Sequence, residues 1–185
     1  VNASNIEKDF AWFTKYNKGA DITNASDVWS QIAVQGPKAL ALCDKVLGDK
    51  ISEMAPFTHK EVKFQGATLR VATTGYTGEK GCEIFCPNDK AEALWQAFMK
   101  TDVGTAMPIG LGARDTLRTE KKLSLYGNEI DDTTNPYEAG LGWVIKPDAK
   151  DFLGKALILK AKEGGLKRKL IGFKMLERGI PRHHY

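Results

Sequence analysis

The chain has 185 residues, 42% hydrophobic and 27% charged, with a net charge of +4. That is the make-up of an ordinary soluble globular chain, long enough for one sizeable core or two small ones. Basic residues are interspersed with acids, and the densest cluster is Lys167, Arg168 and Lys169, so a solvated rim is expected rather than a nucleic-acid face; no apolar run approaches a membrane span and no signal peptide is expected.

The chain begins with Val1 rather than Met, which gives it the look of an excised piece. Ser4 with Glu7 forms a capping-box pattern, and Ile6, Phe10 and Phe13 follow at helical spacing, so a first helix is expected to about Tyr16. From Asp27 to Gln35, Val28, Ser30, Ile32 and Val34 alternate as in a strand with one mostly apolar face. Gly36-Pro37 ends it, and a helix with Leu40, Cys43 and Leu47 on one stripe runs to Gly48. Two strands, Val62 to Phe64 and Ala67 to Thr73, join through Gln65-Gly66.

Thr74 to Phe85 is the stretch around which the chain is organised. Gly75, Gly78 and Gly81 allow positive φ and tight turning, and a strand follows in which Cys82, Ile84 and Cys86 alternate with Glu83 and Phe85. Glu83 therefore faces away from the cysteines. These residues fit a plain hairpin with a solvated glutamate. They also fit a rigid carboxylate acceptor beside the aromatic wall of Tyr76, suited to a flat ligand with adjacent N–H donors such as an aminopteridine ring.

Asn88 is expected to cap a helix with the stripe Ala91, Leu94, Trp95 and Phe98. Hairpins interleaved with helices favour an α+β fold with antiparallel sheets flanked by helices over a parallel array. In Gly110 to Asn128, Arg114, Leu117, Arg118 and Lys121 share a helix face, either a solvated basic surface or a guanidinium fork for a carboxylate or polar ring edge. Trp143, behind Asn135-Pro136 and two glycines, is either core or a wall for a planar ligand, whereas Trp12, Trp29 and Trp95 are expected in the core. Phe152 to Lys162 reads as a helix ended by Gly164-Gly165, and Leu170 to Met175 as a last strand.

Three cysteines, an odd number, favour reduced thiols in a cytosolic-type compartment. They are expected as buried apolar side chains. His59, His183 and His184 are too remote to complete a zinc site, so no metal is expected.

The segments Val1 to Asp9, Thr74 to Ile84, Gly112 to Arg118, Leu125 to Ile130, Glu138 to Trp143 and Glu177 to Arg182, in order and at family spacing, resemble the aminomethyltransferases, the T-proteins of the glycine cleavage system. The resemblance implies one folate-binding α+β core over residues 1–185, with tetrahydrofolate and the lipoyl carrier protein of glycine cleavage as its partners. It implies transfer of a methylene from the aminomethyl-lipoyl arm to tetrahydrofolate, with release of ammonia, in the cytoplasm or, in a eukaryote, the mitochondrial matrix. Carried over residue by residue, Glu83 falls on the family's pteridine-binding glutamate, Arg114 on its folate-binding arginine, and Tyr76, Asn2 and Trp143 on other positions near the folate. The family's catalytic aspartate lies upstream of Val1 and its C-terminal β-barrel near or after Tyr185, so no catalytic residue is assigned and the piece alone is expected to be inactive. Two rivals stand beside this reading. One is the folate-binding portion of a sarcosine or dimethylglycine dehydrogenase. The other is a non-catalytic iron–sulfur assembly relative, disfavoured because Leu125-Tyr126-Gly127-Asn128 stands where a Lys-Gly-Cys-Tyr type segment would fall.

Overall fold

The computed structural model describes residues 1–101 and 106–180. Pro181 and Arg182, which close the last of the family-like segments, and His183 and His184 lie outside the described residues. The chain divides into two compact units, Val1–Lys121 and Lys122–Tyr185.

The first unit is built on a four-stranded antiparallel sheet: β1 (Trp29–Gln35), β2 (His59–Phe64), β3 (Ala67–Ala72) and β4 (Gly81–Pro87), in the order β1-β4-β3-β2. Alternation decides which face each residue meets. On one face Ile84 is paired with Ile32 and Val71, Cys82 with Val34, and Val62 with Leu69. Helices α2 (Ala39–Leu47) and α3 (Asn88–Met99) close this face with Leu42, Cys43, Leu47, Leu94 and Phe98 to form the core. Burying such a Leu, Ile or Phe side chain contributes about 1.5–3 kcal/mol. Gln65 and Gly66 both take positive φ, 45° and 81°, as a two-residue turn whose twist matches that of β2 and β3 requires. Gly48 ends α2 in the left-handed region at φ 65°, where a missing Cβ removes the steric penalty.

The expected order of helix, strand, helix, three strands and helix is observed, and all three cysteines are free and buried. Cys43 and Cys82 place their Sγ atoms 2.9 Å apart within the core. That hydrogen bond, reinforced by burial, raises the Cys43 thiol well above its ordinary value.

Several local expectations are corrected. Helix α1 (Ile6–Tyr16) has Asn5, not Ser4, at its N-cap, because a 3-10 turn over Ala3–Asn5 takes Ser4 into the turn itself; no side-chain cap bond forms. None of its residues is buried, and Trp12 and Phe13 are both 51% exposed. Trp95 is likewise exposed, at 42%, on the outer side of α3. Asn88 is inside the first turn of α3, and its side chain ties that turn to β1 instead of capping it: it accepts from Ser30 Oγ at 2.8 Å and donates to the Asp27 carbonyl at 2.7 Å.

The second unit holds a 3-10 turn, Gly142–Val144, and α5 (Lys155–Glu163). Gly154 at φ 87° keeps α5 from starting at Phe152. Leu170 to Met175 is not a strand: Ile171 and Phe173 are exposed, and Leu170 N–H bonds to the Glu138 carbonyl rather than into a ladder. Alternation specifies a strand only where a neighbouring strand is there to pair with. Arg168 Nε donates to Glu138 Oε2 at 3.1 Å, and its Nη2 to the Thr133 carbonyl at 2.7 Å. The Asn135 N–H first, and Arg168 with it, hold the Glu138 carboxyl below the usual range.

Candidate functional site

The face of the sheet turned away from the core carries Gln31, Ala33 and Gln35 of β1, Glu83 and Phe85 of β4, and Arg70 and Ala72 of β3, in register across the three strands. Glu83 stands between Ala33 and Ala72. Small neighbours on both sides leave its carboxylate accessible from above, and it is half-buried. Two side chains orient it: Gln31 Nε2 donates to Oε1 at 2.6 Å and Thr74 Oγ1 to Oε2 at 2.5 Å. A carboxylate offers about four acceptor sites. Each oxygen therefore retains one further acceptor site.

The segment between β3 and β4 is held at close quarters. Of its glycines only Gly78 has a positive φ, 71°, and a Cβ there would also strike the Lys121 side chain at 2.4 Å. Gly75 and Gly81 serve a different purpose from the expected backbone freedom. A Cβ on Gly75 would lie 1.9 Å from Gln35 Oε1, and one on Gly81 2.3 Å from the Val34 carbonyl. These two glycines make room for a neighbour.

Helix α4 (Leu111–Glu120) brings Arg114 over the ring of Tyr76, with Cζ 4.7 Å from the centroid. Such a contact contributes about 0.5–1 kcal/mol where solvent reaches it. Arg118 does not share this role, contrary to the two-arginine fork. It is 3% exposed, with Nε and Nη2 at 2.8 and 2.6 Å from Asp115 Oδ1. A guanidinium this buried requires a carboxylate for charge balance, and Asp115, one turn earlier in α4, supplies it.

Beside Arg114 opens a cavity of about 680 Å³ with apolar walls from Val34, Leu42, Met107 and Leu117, and with Gln35 and Thr77 at its polar side. Its lining includes Arg114 but not Glu83. Tyr76 and Arg114 are thus in contact, and Glu83 is tied through Thr74 to the segment that carries Tyr76. Asn2 is exposed ahead of the first turn, with its carbonyl accepting from Asn5 N–H at 2.8 Å. Trp143 belongs to the second unit, in the turn Gly142–Val144, and is 73% exposed. Among the described residues no group of His, Cys, Asp or Glu side chains could hold a metal ion, and no helix is long and apolar enough to cross a membrane.

Gln31, Gln35, Thr74 and Thr77 escaped the sequence reading. The signal for the glutamines was their parity: both alternate with Ile32 and Val34, so they had to share the face of β1 opposite the core.

Fold and site together define an α+β domain in which one sheet face is core and the other presents a buttressed carboxylate. The chain belongs to the family of glycine-cleavage aminomethyltransferases: the model of the GCVT N-terminal domain matches residues 1–149. It is 65% identical over its whole length to an aminomethyltransferase of Bdellovibrio bacteriovorus and 48% identical to one of Halothermothrix orenii, covering 52% of each. The crystal structure of glycine cleavage system aminomethyltransferase T from Bartonella henselae matches with a TM-score of 0.77 at 30% identity, over 89% of this chain and 45% of that one. The chain thus spans about half the length of these relatives.

Proposed function

We propose that the protein serves glycine cleavage, in which a methylene passes from an aminomethyl group on the lipoyl arm of a carrier protein to tetrahydrofolate and ammonia is released, and that this chain supplies the groups that grip the folate. The observation that carries the proposal is Glu83: a carboxylate oriented by Gln31 and Thr74, with one acceptor site left on each oxygen. That arrangement fits the paired N–H donors along the amino-pyrimidine edge of a reduced pterin. Tyr76 offers an aromatic wall and Arg114 a fixed positive charge over it, and resemblance to the family adds Asn2 as a further contact.

Tetrahydrofolate would supply the nucleophilic nitrogen that receives the methylene. The residues of this chain bind and orient it, which lowers the barrier chiefly by removing the entropy cost of bringing two reactants together. None of them is assigned an acid–base role. The relatives named above are aminomethyltransferases, which favours this reading over the dehydrogenase and iron–sulfur ones.

Calorimetric titration with 5-formyltetrahydrofolate, a stable reduced folate, and a turnover assay with aminomethyl-lipoyl carrier test the proposal on the purified 185-residue chain. Binding without turnover is expected. Absence of binding overturns the folate reading, and turnover by this chain alone overturns the restriction to binding.

A further inference from the structure

Gln35 is the last residue of β1, paired with Gly81 at the start of β4. Its carboxamide makes contacts across the whole of the segment between β3 and β4. Nε2 donates to the Thr74 carbonyl at 3.1 Å, where the segment begins, and to the Cys82 carbonyl at 3.1 Å, just inside β4 beyond its end. Oε1 accepts from Thr77 Oγ1 at 3.3 Å, in the middle, and the Thr77 oxygen in turn accepts from Glu79 N–H at 3.3 Å. Thr77 is buried. The backbone completes the closure, with Gly36 N–H donating to the Lys80 carbonyl at 2.9 Å.

The glycines corroborate this arrangement independently of the hydrogen bonds. A Cβ on Gly75 or on Gly81 would lie within 2.8 Å of the Gln35 carboxamide. The segment is therefore wound on that side chain, with residues 75 and 81 reduced to hydrogen so that it fits between them. The two residues whose carbonyls Gln35 holds are also the ones that set the carboxylate. Thr74 gives its hydroxyl to Glu83, and Cys82 precedes Glu83 in β4.

We infer that Gln35 is a positioning residue: its carboxamide is the template that fixes the 74–82 segment and so holds the Glu83 carboxylate and the Tyr76 ring at a set separation for the ligand. The inference rests on the reading of Glu83 and Tyr76 as folate-binding groups. Gln35 need not touch the reacting atoms. It acts through the backbone, which makes it separable from Gln31, the glutamine of the same strand face that touches Glu83 directly.

Gln35→Glu keeps the shape and replaces the donor by a second oxygen facing two carbonyls. Gln35→Met keeps the length and removes every polar contact. Amide hydrogen exchange over residues 74–82 is followed without ligand, and affinity for 5-formyltetrahydrofolate is measured by calorimetry from about pH 8 to about pH 5, where a carboxyl held against two carbonyls takes up a proton. Two lost hydrogen bonds of ordinary strength predict exchange about tenfold to thirtyfold faster over 74–82 with α3 unchanged, and a fall in affinity of similar size.

Lowering the pH restores one O–H donor in Gln35→Glu and recovers part of both losses, whereas Gln35→Met shows no recovery. A role confined to filling space would leave Gln35→Glu independent of pH. Wild-type exchange over 74–82 in either variant, or faster exchange with native affinity, overturns the inference. Failure of the wild-type protein to bind folate overturns the folate reading and leaves the exchange result to judge the template by itself. Should Gln35→Met unfold, Thr77→Val removes the bond to Gln35 Oε1 together with the one from Glu79 N–H, and unchanged exchange there overturns the inference equally.

Discussion

Replacing Glu83 by Gln separates what the carboxylate does for the fold from what it does for a ligand. Its protein partners can adapt. Thr74 offers a hydroxyl, which donates or accepts by rotating, and Gln31 a carboxamide, which presents oxygen in place of nitrogen by turning over. Glu83→Gln therefore keeps both contacts in neutral form, at a cost of about 0.5–1 kcal/mol for the lost charge assistance. For a chain of this length that lowers the melting temperature by about 2–4 °C. A pterin edge with two fixed N–H donors cannot adapt, because the new amide meets one of them with its own N–H. Loss of a desolvated charge-assisted contact then costs about 2–5 kcal/mol, a dissociation constant raised roughly thirtyfold to several thousandfold. Scanning calorimetry gives the first quantity and titration with 5-formyltetrahydrofolate the second. Equal folate affinity in wild type and Glu83→Gln would refute the assignment of Glu83 to the ligand, and a large drop in stability would show that Thr74 and Gln31 do not adapt.

Gly78→Ala places a Cβ at φ 71° and against Lys121, whose flexible side chain can swing away, so the backbone term remains, about 1–2 kcal/mol, measurable as a lowered denaturant midpoint with an unchanged slope. The Cys43 thiol, buried and bonded to Cys82, is expected to resist alkylation in the folded protein and to react freely once denatured, as counted by mass spectrometry. Its raised value also sets a direction for stability. The folded state holds the Cys43 proton more tightly than the unfolded chain does, so this contribution is complete below the ordinary thiol range. As the pH rises through that range it is lost, at a limiting slope of about 1.4 kcal/mol per pH unit, and Cys43→Ala should flatten the alkaline limb of the stability profile.

The sequence by itself determined the elements with strong local signals: the β2–β3 turn at Gln65-Gly66, the end of α2 at Gly48, the burial of the cysteines, and the opposite facing of Glu83. Period-2 alternation and the steric freedom of glycine act within a few residues, so they can be read without knowing the fold. The family was legible too, in segments that lie in order along the chain, and the match to residues 1–149 agrees with it. Caps were less legible, because Ser4 and Asn88 have side chains that serve a cap, a turn or a distant strand equally well, and the tertiary partner decides which.

Only the tertiary structure decided how the site is held together. It separated Arg114, lying over Tyr76, from Arg118, buried against Asp115, although both stand on one helix a turn apart. It also gave Gly75 and Gly81 their meaning, as space for a glutamine some forty residues earlier in the chain. Contacts between residues so far apart leave no local pattern, since the Cβ that a glycine lacks matters only once another strand delivers a side chain to the place it would have filled.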